Sequence, residues 1–411
     1  QFTGLIIESE GPDVSIGSVC EIHSLSANRR AMAEVVGFRD NRVLLMPLEA
    51  FYDIYPGAPV TVAARMSGVP VGDELLGRII DGLGRPIDGH GPLGASIENR
   101  LHSEAPSPMD RPVIAEALQT GVRAIDSFIP IGCGQRVGIF AGSGVGKSTL
   151  LSMMTRGTNA DINVVALVGE RGRELREFVE CDLGKDGMKK TVIIASTSDQ
   201  PAPLRLRAAW MAIAVAEYFR DQGQKVLFMM DSLTRLAMAQ REVGLSVGEP
   251  PTTRGYTPSV FSLLPRLVER AGMGVRGSIT GVYTVLVEGD DLNEPVADAV
   301  RGLLDGHIVL KRSLAVANHY PPIDVLESVS RLARHICSRE DLECVGRARE
   351  LLAIYRKHED LISIGAYVPK TNPKVDQAIA GHDNINDFLK QPFDVLYDRA
   401  STWAELRTVL Q

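Results

Sequence analysis

Phe140-Ala141-Gly142-Ser143-Gly144-Val145-Gly146-Lys147-Ser148 is the stretch from which the rest of the chain can be read. A short apolar run, Val137–Phe140, leads into it, and a helix-compatible stretch, Lys147–Arg156, leaves it. The glycines therefore fall at a strand-to-helix turn. Glycine at such a turn lets successive backbone N–H groups face inward as an anion nest, and the helix N-terminus adds its partial positive charge. The lysine and hydroxyl that follow complete the phosphate-loop pattern, with Ala141 in the position usually held by the first glycine. In that pattern Lys147 reaches the β- and γ-phosphates of a nucleotide and the Ser148 hydroxyl binds Mg²⁺. Gly142, Ser143, Gly144, Val145, Gly146 and Thr149 supply the loop and the first helical turn.

Further short apolar runs continue on either side of helical stretches: Val164–Val168, Thr191–Ser196, Val226–Met230 and Ile279–Val287. Runs of this length rich in Val and Ile suit buried parallel strands, and the alternation predicts a parallel sheet with helices on both faces. Helices are expected over Glu174–Cys181 and Leu204–Arg220. Asp231 ends the run Val226–Met230, at the sheet edge where such folds bind ligands. It is expected to be the second Mg²⁺ group, the alternative being a cap for the helix that begins at Ser232. Glu170 directly follows the run Val164–Val168, where a carboxylate could polarise a water in line with the γ-phosphate. The alternative is an exposed acid in a charged segment.

Residues 1–72 read as short strands (Thr3–Glu8, Ser18–His23, Ala31–Phe38, Arg42–Pro47, Pro59–Ala64) separated by turn residues such as Gly11-Pro12-Asp13 and Pro56-Gly57. A small β-barrel hides so many edges, and a β-sandwich fits the same pattern. Residues 73–333 form the nucleotide-binding unit, introduced by a shaped linker, Gly82-Leu83-Gly84-Arg85-Pro86-Ile87-Asp88-Gly89. Residues 334–411 carry helical signals over Arg334–Lys357 and Lys374–Leu396. Against 51 Asp+Glu stand 44 Lys+Arg, a net charge of −7, which argues against a nucleic-acid coat. Five scattered cysteines without CxxC spacing fit reduced thiols of a cytoplasmic protein. No apolar run approaches the ~20 residues of a membrane span. Gln1 is not an initiator residue, so a preceding segment is expected.

Several segments together resemble one family. They are Leu75-Leu76-Gly77-Arg78-Ile79-Ile80-Asp81-Gly82, Thr120-Gly121-Val122-Arg123-Ala124-Ile125-Asp126, the phosphate loop, Gly169-Glu170-Arg171-Gly172-Arg173-Glu174, Met230-Asp231-Ser232-Leu233-Thr234-Arg235 and Ser328-Val329-Ser330-Arg331. The chain resembles the RecA-like rotary and secretion ATPases, which include catalytic subunits of F- and V-type ATPases and bacterial type III export ATPases. Thr197-Ser198-Asp199-Gln200-Pro201-Ala202, Gly248-Glu249-Pro250-Pro251-Thr252-Thr253 and Leu304-Asp305-Gly306-His307-Ile308-Val309-Leu310 look like flagellar export-ATPase segments.

The implied fold class is α/β: a RecA-like P-loop ATPase core, preceded by a small N-terminal β-barrel and followed by a C-terminal helical domain. The implied activity is Mg²⁺-dependent ATP hydrolysis by a homohexamer that energises protein export. The resemblance makes Glu170 the catalytic glutamate, with Arg171 following it in the catalytic pattern. Arg331 matches the arginine finger that reaches a neighbouring subunit's nucleotide. Tyr320, in Tyr320-Pro321-Pro322-Ile323-Asp324, matches the aromatic that packs on adenine. Val368–Lys374 departs from the family's form near the C-terminal side of that pocket. Implied partners are a stator-like regulator, a central stalk protein, export chaperone–substrate complexes and, indirectly, a membrane export gate, with no nucleic acid. The implied place is the cytoplasmic face of the inner membrane. An injectisome ATPase, a rotary catalytic subunit, a noncatalytic nucleotide-holding subunit and a RecA-like helicase are the alternatives.

Overall fold

The computed structural model describes residues 2–3, 5–24, 30–49, 54–63, 68–94, 97–287, 289 and 291–410. Gln1, and the Gly4 and Ala64 positions of two expected strands, lie outside them. Six strands near the N-terminus form one antiparallel sheet, in the order Phe2–Thr3, Ile6–Ser9, Arg42–Pro47, Arg30–Arg39, Val19–His23, Val60–Val62. One face closes on a core of its own, with Ile7, Cys20, Ile22, Ala33, Val35, Val43 and Leu45 buried together. Ile6, Leu44 and Met46, from the other face, join the core of the central unit. The described strands of this unit form one sheet, as in a barrel wall, and not the two packed sheets of a sandwich.

The central unit is built on strands β1 (Ile79–Ile80), β2 (Arg136–Ala141), β3 (Ile162–Glu170), β4 (Thr191–Thr197), β5 (Lys225–Asp231), β6 (Ser278–Leu286), β7 (Gly306–Leu310) and β8 (Val329–Ser330). They lie in the order β8-β7-β2-β6-β5-β3-β4-β1. Every neighbouring pair on this path is parallel except β7–β8, and the short strand Gly272–Met273 pairs antiparallel with β6. Alternation along β3 shows why the sheet must be covered on both sides. Val164, Ala166 and Val168 enter one core, and Val165 and Leu167 enter the other. The helix Ala202–Asp221 lies against the first of these, packed on β3, β4 and β5. It is Ala-rich and buried nearly all round, as a helix between two layers must be.

The expected helix Glu174–Cys181 differs in its geometry. An α-helix over Gly172–Glu177 passes into a π-helical segment, Phe178–Leu183, and then into Gly184–Met188. Phe178 and Leu183 are both buried in the same core. An α-helix would set residues five apart about 140° around its axis. The wider turn brings both side chains to the core.

After β8 the chain is helical: Arg339–Ser363, Pro373–Leu389 and Arg399–Val409. Arg334 itself lies in a separate short helix, Ala333–Ile336, and the first long helix starts after it because Ser338 caps it, accepting from the Asp341 N–H. The second stops before Leu396: Lys390 is already extended, and the helix could not have passed Gln391, because a residue before proline is driven out of the helical region. Gln391 is 3% exposed and knots the helical unit to the sheet unit. Its N–H donates to the Tyr320 carbonyl at 2.7 Å, its Nε2 to the Gly121 carbonyl at 2.8 Å, and its Oε1 accepts from the Arg123 N–H at 2.9 Å.

Candidate functional site

Four adjacent strands, β2, β6, β5 and β3, end together and carry the site on their C-terminal edge. Registers set the levels: Ala141 lies opposite Leu286, Met230 opposite Tyr283, and Asp231 opposite Leu167. From Ala141 the chain turns through Gly144 at φ +74° and Gly146 at φ +107° into the helix Lys147–Gly157. Both angles lie where an L side chain is strained, so these two positions require glycine. Ser143, Ser148 and Thr149 are exposed around the turn, and Val145 is tucked into the core beneath it.

Two buried carboxylates face this loop. Asp231 is 4% exposed and Glu170 5%, and the Lys147 ammonium reaches both, at 2.5 Å from Asp231 Oδ1 and 3.5 Å from Glu170 Oε1. Asp231 is not the cap of the helix Leu233–Val247. That role belongs to Ser232, whose hydroxyl accepts from the Arg235 N–H. The Thr284 hydroxyl, fully buried on β6, donates to Asp231 Oδ1 at 2.8 Å and fixes that carboxylate. Ser148 and Asp231 offer Mg²⁺ a hydroxyl and a carboxylate oxygen. This hard donor set fits the ion, which takes few protein ligands and keeps its waters.

Glu170 owes its position to a bulge. The β3–β4 register slips between Val168 and Glu170, and Gly169 takes φ +73° there. Arg235 holds the bulge from the next helix: Nη1 donates to the Gly169 carbonyl at 2.6 Å, and Nε lies 3.0 Å from Glu170 Oε1. Burial and the nearby Asp231 charge push the Glu170 pKa up to about 7, against the pull of Lys147 and Arg235. A carboxyl that titrates near neutral pH suits proton handling at an attacking water.

Beside the loop, on the far side of its helix, lies a mainly apolar cavity of about 380 Å³. Tyr320, 46% exposed, forms one wall with Pro321 and Pro322; Thr149, Leu150 and Met153 form the floor; Pro392 and Phe393 close the opposite side. That opposite wall comes from Gln391–Phe393. Val368–Lys374, the stretch whose departure from the family's form bears on this pocket, does not line it.

Two predicted site residues are not brought to the cluster. The Arg171 side chain is 71% exposed and pairs with Glu174 at 3.3 Å. Arg331 directly follows β8, and its N–H donates to the Asp305 carbonyl. Because β8 runs antiparallel to β7 and pairs with Gly306 and His307, Arg331 lies at the N-terminal edge of the sheet. The phosphate loop lies at the other edge, five residue steps of about 3.3 Å along β2, roughly 17 Å away.

Arg235, Thr284, Pro392 and Phe393 are site residues for which the sequence reading gave no role. Thr284 is one of several hydroxyl residues on its strand, with Ser278, Thr280 and Tyr283, so the sequence did not single it out. Arg235 and Phe393 depend on a bulge and on a helix stop that periodicity does not show.

A strand–glycine loop–helix turn on a parallel sheet, with a lysine between two strand-end carboxylates, defines a P-loop nucleotide-binding protein of the RecA-like class. Residues 121–330 match the model for the ATP synthase alpha/beta family, nucleotide-binding domain; residues 1–62 match that family's beta-barrel domain; residues 337–408 match the T3SS EscN ATPase C-terminal domain. The chain belongs to the ATP synthase alpha/beta family. It is 53% identical over 393 residues to the flagellum-specific ATP synthase of Bacillus subtilis (strain 168), covering 95% of this chain and 90% of that one. It is 47% identical over 409 residues to the type 3 secretion system ATPase of Xanthomonas euvesicatoria, covering 100% and 92%. The structure of the assembled ATPase EscN from the enteropathogenic E. coli type III secretion system matches with a TM-score of 0.95 at 44% identity, over 100% of this chain and 99% of that one.

Proposed function

We propose that this chain hydrolyses Mg²⁺-ATP as one protomer of a homohexameric ring that energises protein export through a flagellar-type apparatus. The observation that carries the reading is the placement of Glu170, buried at a bulge between Lys147 and Arg235 and beside Asp231. A noncatalytic nucleotide-holding subunit has no use for such a carboxylate.

Phosphoryl transfer asks mainly for positioning and charge stabilisation. The loop N–H groups and Lys147 bind the phosphates, so Lys147 exchanges its carboxylate partners for phosphate oxygens. Ser148 and Asp231 hold Mg²⁺, which neutralises phosphate charge when bound. Glu170 orients the attacking water and accepts its proton. Arg171 turns to the phosphate mouth when its exposed pair with Glu174 opens, an exchange that costs little because surface pairs are weak. Tyr320 and Phe393 take the adenine between them.

Arg331 cannot serve its own loop from the opposite sheet edge. It acts on a neighbour's nucleotide in a head-to-tail ring, where such a finger is worth roughly 10³–10⁵ in rate. Relatives supply the biological setting. Flagellum-specific ATP synthases match at 53% and 50% identity, and EscN has been solved in complex with its central stalk EscO. By analogy this ring takes a central stalk, a stator-like regulator and chaperone–substrate complexes, and works at the cytoplasmic face of the inner membrane beneath an export gate. Service to an injectisome is the second reading, favoured by the type 3 secretion relative at 47%. Pull-down of the full-length protein from its native cells tests the assignment: flagellar export components on the bait support it, and injectisome components alone overturn it. Native mass spectrometry separates an export ring of one chain type from a rotary ring, which would contain a second, dissimilar subunit.

A further inference from the structure

The phosphate loop has a brace outside the residues that touch the nucleotide. Arg312 opens the short helix that follows β7, and its Nη2 donates to the Ser143 carbonyl at 2.9 Å. The arginine's own backbone is well anchored. The Lys311 N–H donates to the Pro322 carbonyl at 2.9 Å, and Leu310 bridges to Ile323. The peptide it grips has little else to restrain it. Gly144 has φ +74°, and a methyl group built there would meet nothing within 4 Å.

A trans peptide is planar, with its C=O and N–H pointing in opposite directions. Tying the Ser143 carbonyl to Arg312 therefore sends the Gly144 N–H the other way, away from Arg312. In an anion nest the donors must all face one point, and a single flipped peptide replaces a donor with a repelling carbonyl. We propose that Arg312 is a positioning residue of the phosphate loop: it locks the Ser143–Gly144 peptide so that the Gly144 N–H faces the β- or γ-phosphate. The segment that carries Arg312 also carries Tyr320, so one excursion of chain, residues 311–322, braces the phosphate end and walls the adenine end. This inference rests on the reading of the loop as the phosphate site.

The test is equilibrium binding of fluorescent mant-ATP, mant-ADP and mant-AMP to the wild type, Arg312→Ala and Arg312→Lys. Arg312 is exposed, so the substitutions leave the core intact, and a thermal melt checks this. Losing one charge-assisted hydrogen bond is expected to weaken ATP and ADP by about tenfold in Arg312→Ala. AMP, which lacks the β-phosphate, should change by less than about twofold, and lysine should recover most of the loss because an ammonium can reach the same carbonyl. ATP binding unchanged in Arg312→Ala overturns the proposal. An equal loss for AMP overturns it too, because that would signal a general distortion of the adenine wall. Failure of the wild type to bind mant-ATP would instead sink the phosphate-site reading on which it stands.

Discussion

Glu170 has two cations within reach and still keeps its proton to about pH 7, because burial and the Asp231 carboxylate outweigh Lys147 and Arg235. The sign for activity follows directly. Below pH 7 the carboxyl is protonated and cannot take a proton from water, so kcat/KM for ATP should climb with pH and level off above ~8. Glu170→Gln should abolish that turnover while mant-ATP still binds; loss of binding would reassign Glu170 to architecture. On the adenine side, Tyr320→Ala should raise KM with kcat little changed, and Tyr320→Phe should restore it, since the ring and not the hydroxyl does the packing. At this scale, what could be read from the sequence was what terminates a run. Lys147, Glu170 and Asp231 each stand where an apolar strand or glycine loop ends. Arg235 could not be read, because its contact with Glu170 arises only through the Gly169 bulge.

Among the elements, the buried helix Ala202–Asp221 makes the sharpest stability claim. Its Glu217 carboxylate, 2% exposed, pairs with Arg270, 1% exposed, at 2.5 Å and 2.8 Å, and the guanidinium also donates to the Leu101 carbonyl. The pair fastens three segments: this helix, the chain at Leu101 just after the strand Ile97–Arg100, and the turn after the helix Pro258–Val268. Removing Glu217 alone leaves a buried charge without its partner, which costs about 3–5 kcal/mol. Replacing both residues by Leu and Met should cost much less. Urea unfolding of the single and double variants measures the difference. Five strands of this sheet, β2 to β6, were legible to within two residues, because parallel strands buried on both faces leave continuous apolar runs, whereas β1, β7 and β8 were not read as strands. The π-helical segment Phe178–Leu183 was not legible either, because it answers to core geometry; the stop at Leu389 was signalled by Gln391-Pro392, which a reading of periodicity alone overruns.

For the whole molecule, the barrel, sheet and helical units follow the changes of texture along the chain, and the proposed sharing of the site between protomers rests on one topological fact. The antiparallel return of β8 sets Arg331 at the sheet edge away from its own loop. In the proposed ring each hydrolytic centre is then the property of two protomers, Glu170 from one and Arg331 from the next. Arg331→Ala and Glu170→Gln should each form rings with almost no turnover. Phosphate release from rings reassembled out of an equal mixture of the two variants is the most direct measurement. Turnover should return, because some junctions pair an intact Glu170 with a neighbour's intact Arg331. Mixed rings as inactive as either parent, with mixing confirmed by native mass spectrometry, would contradict it.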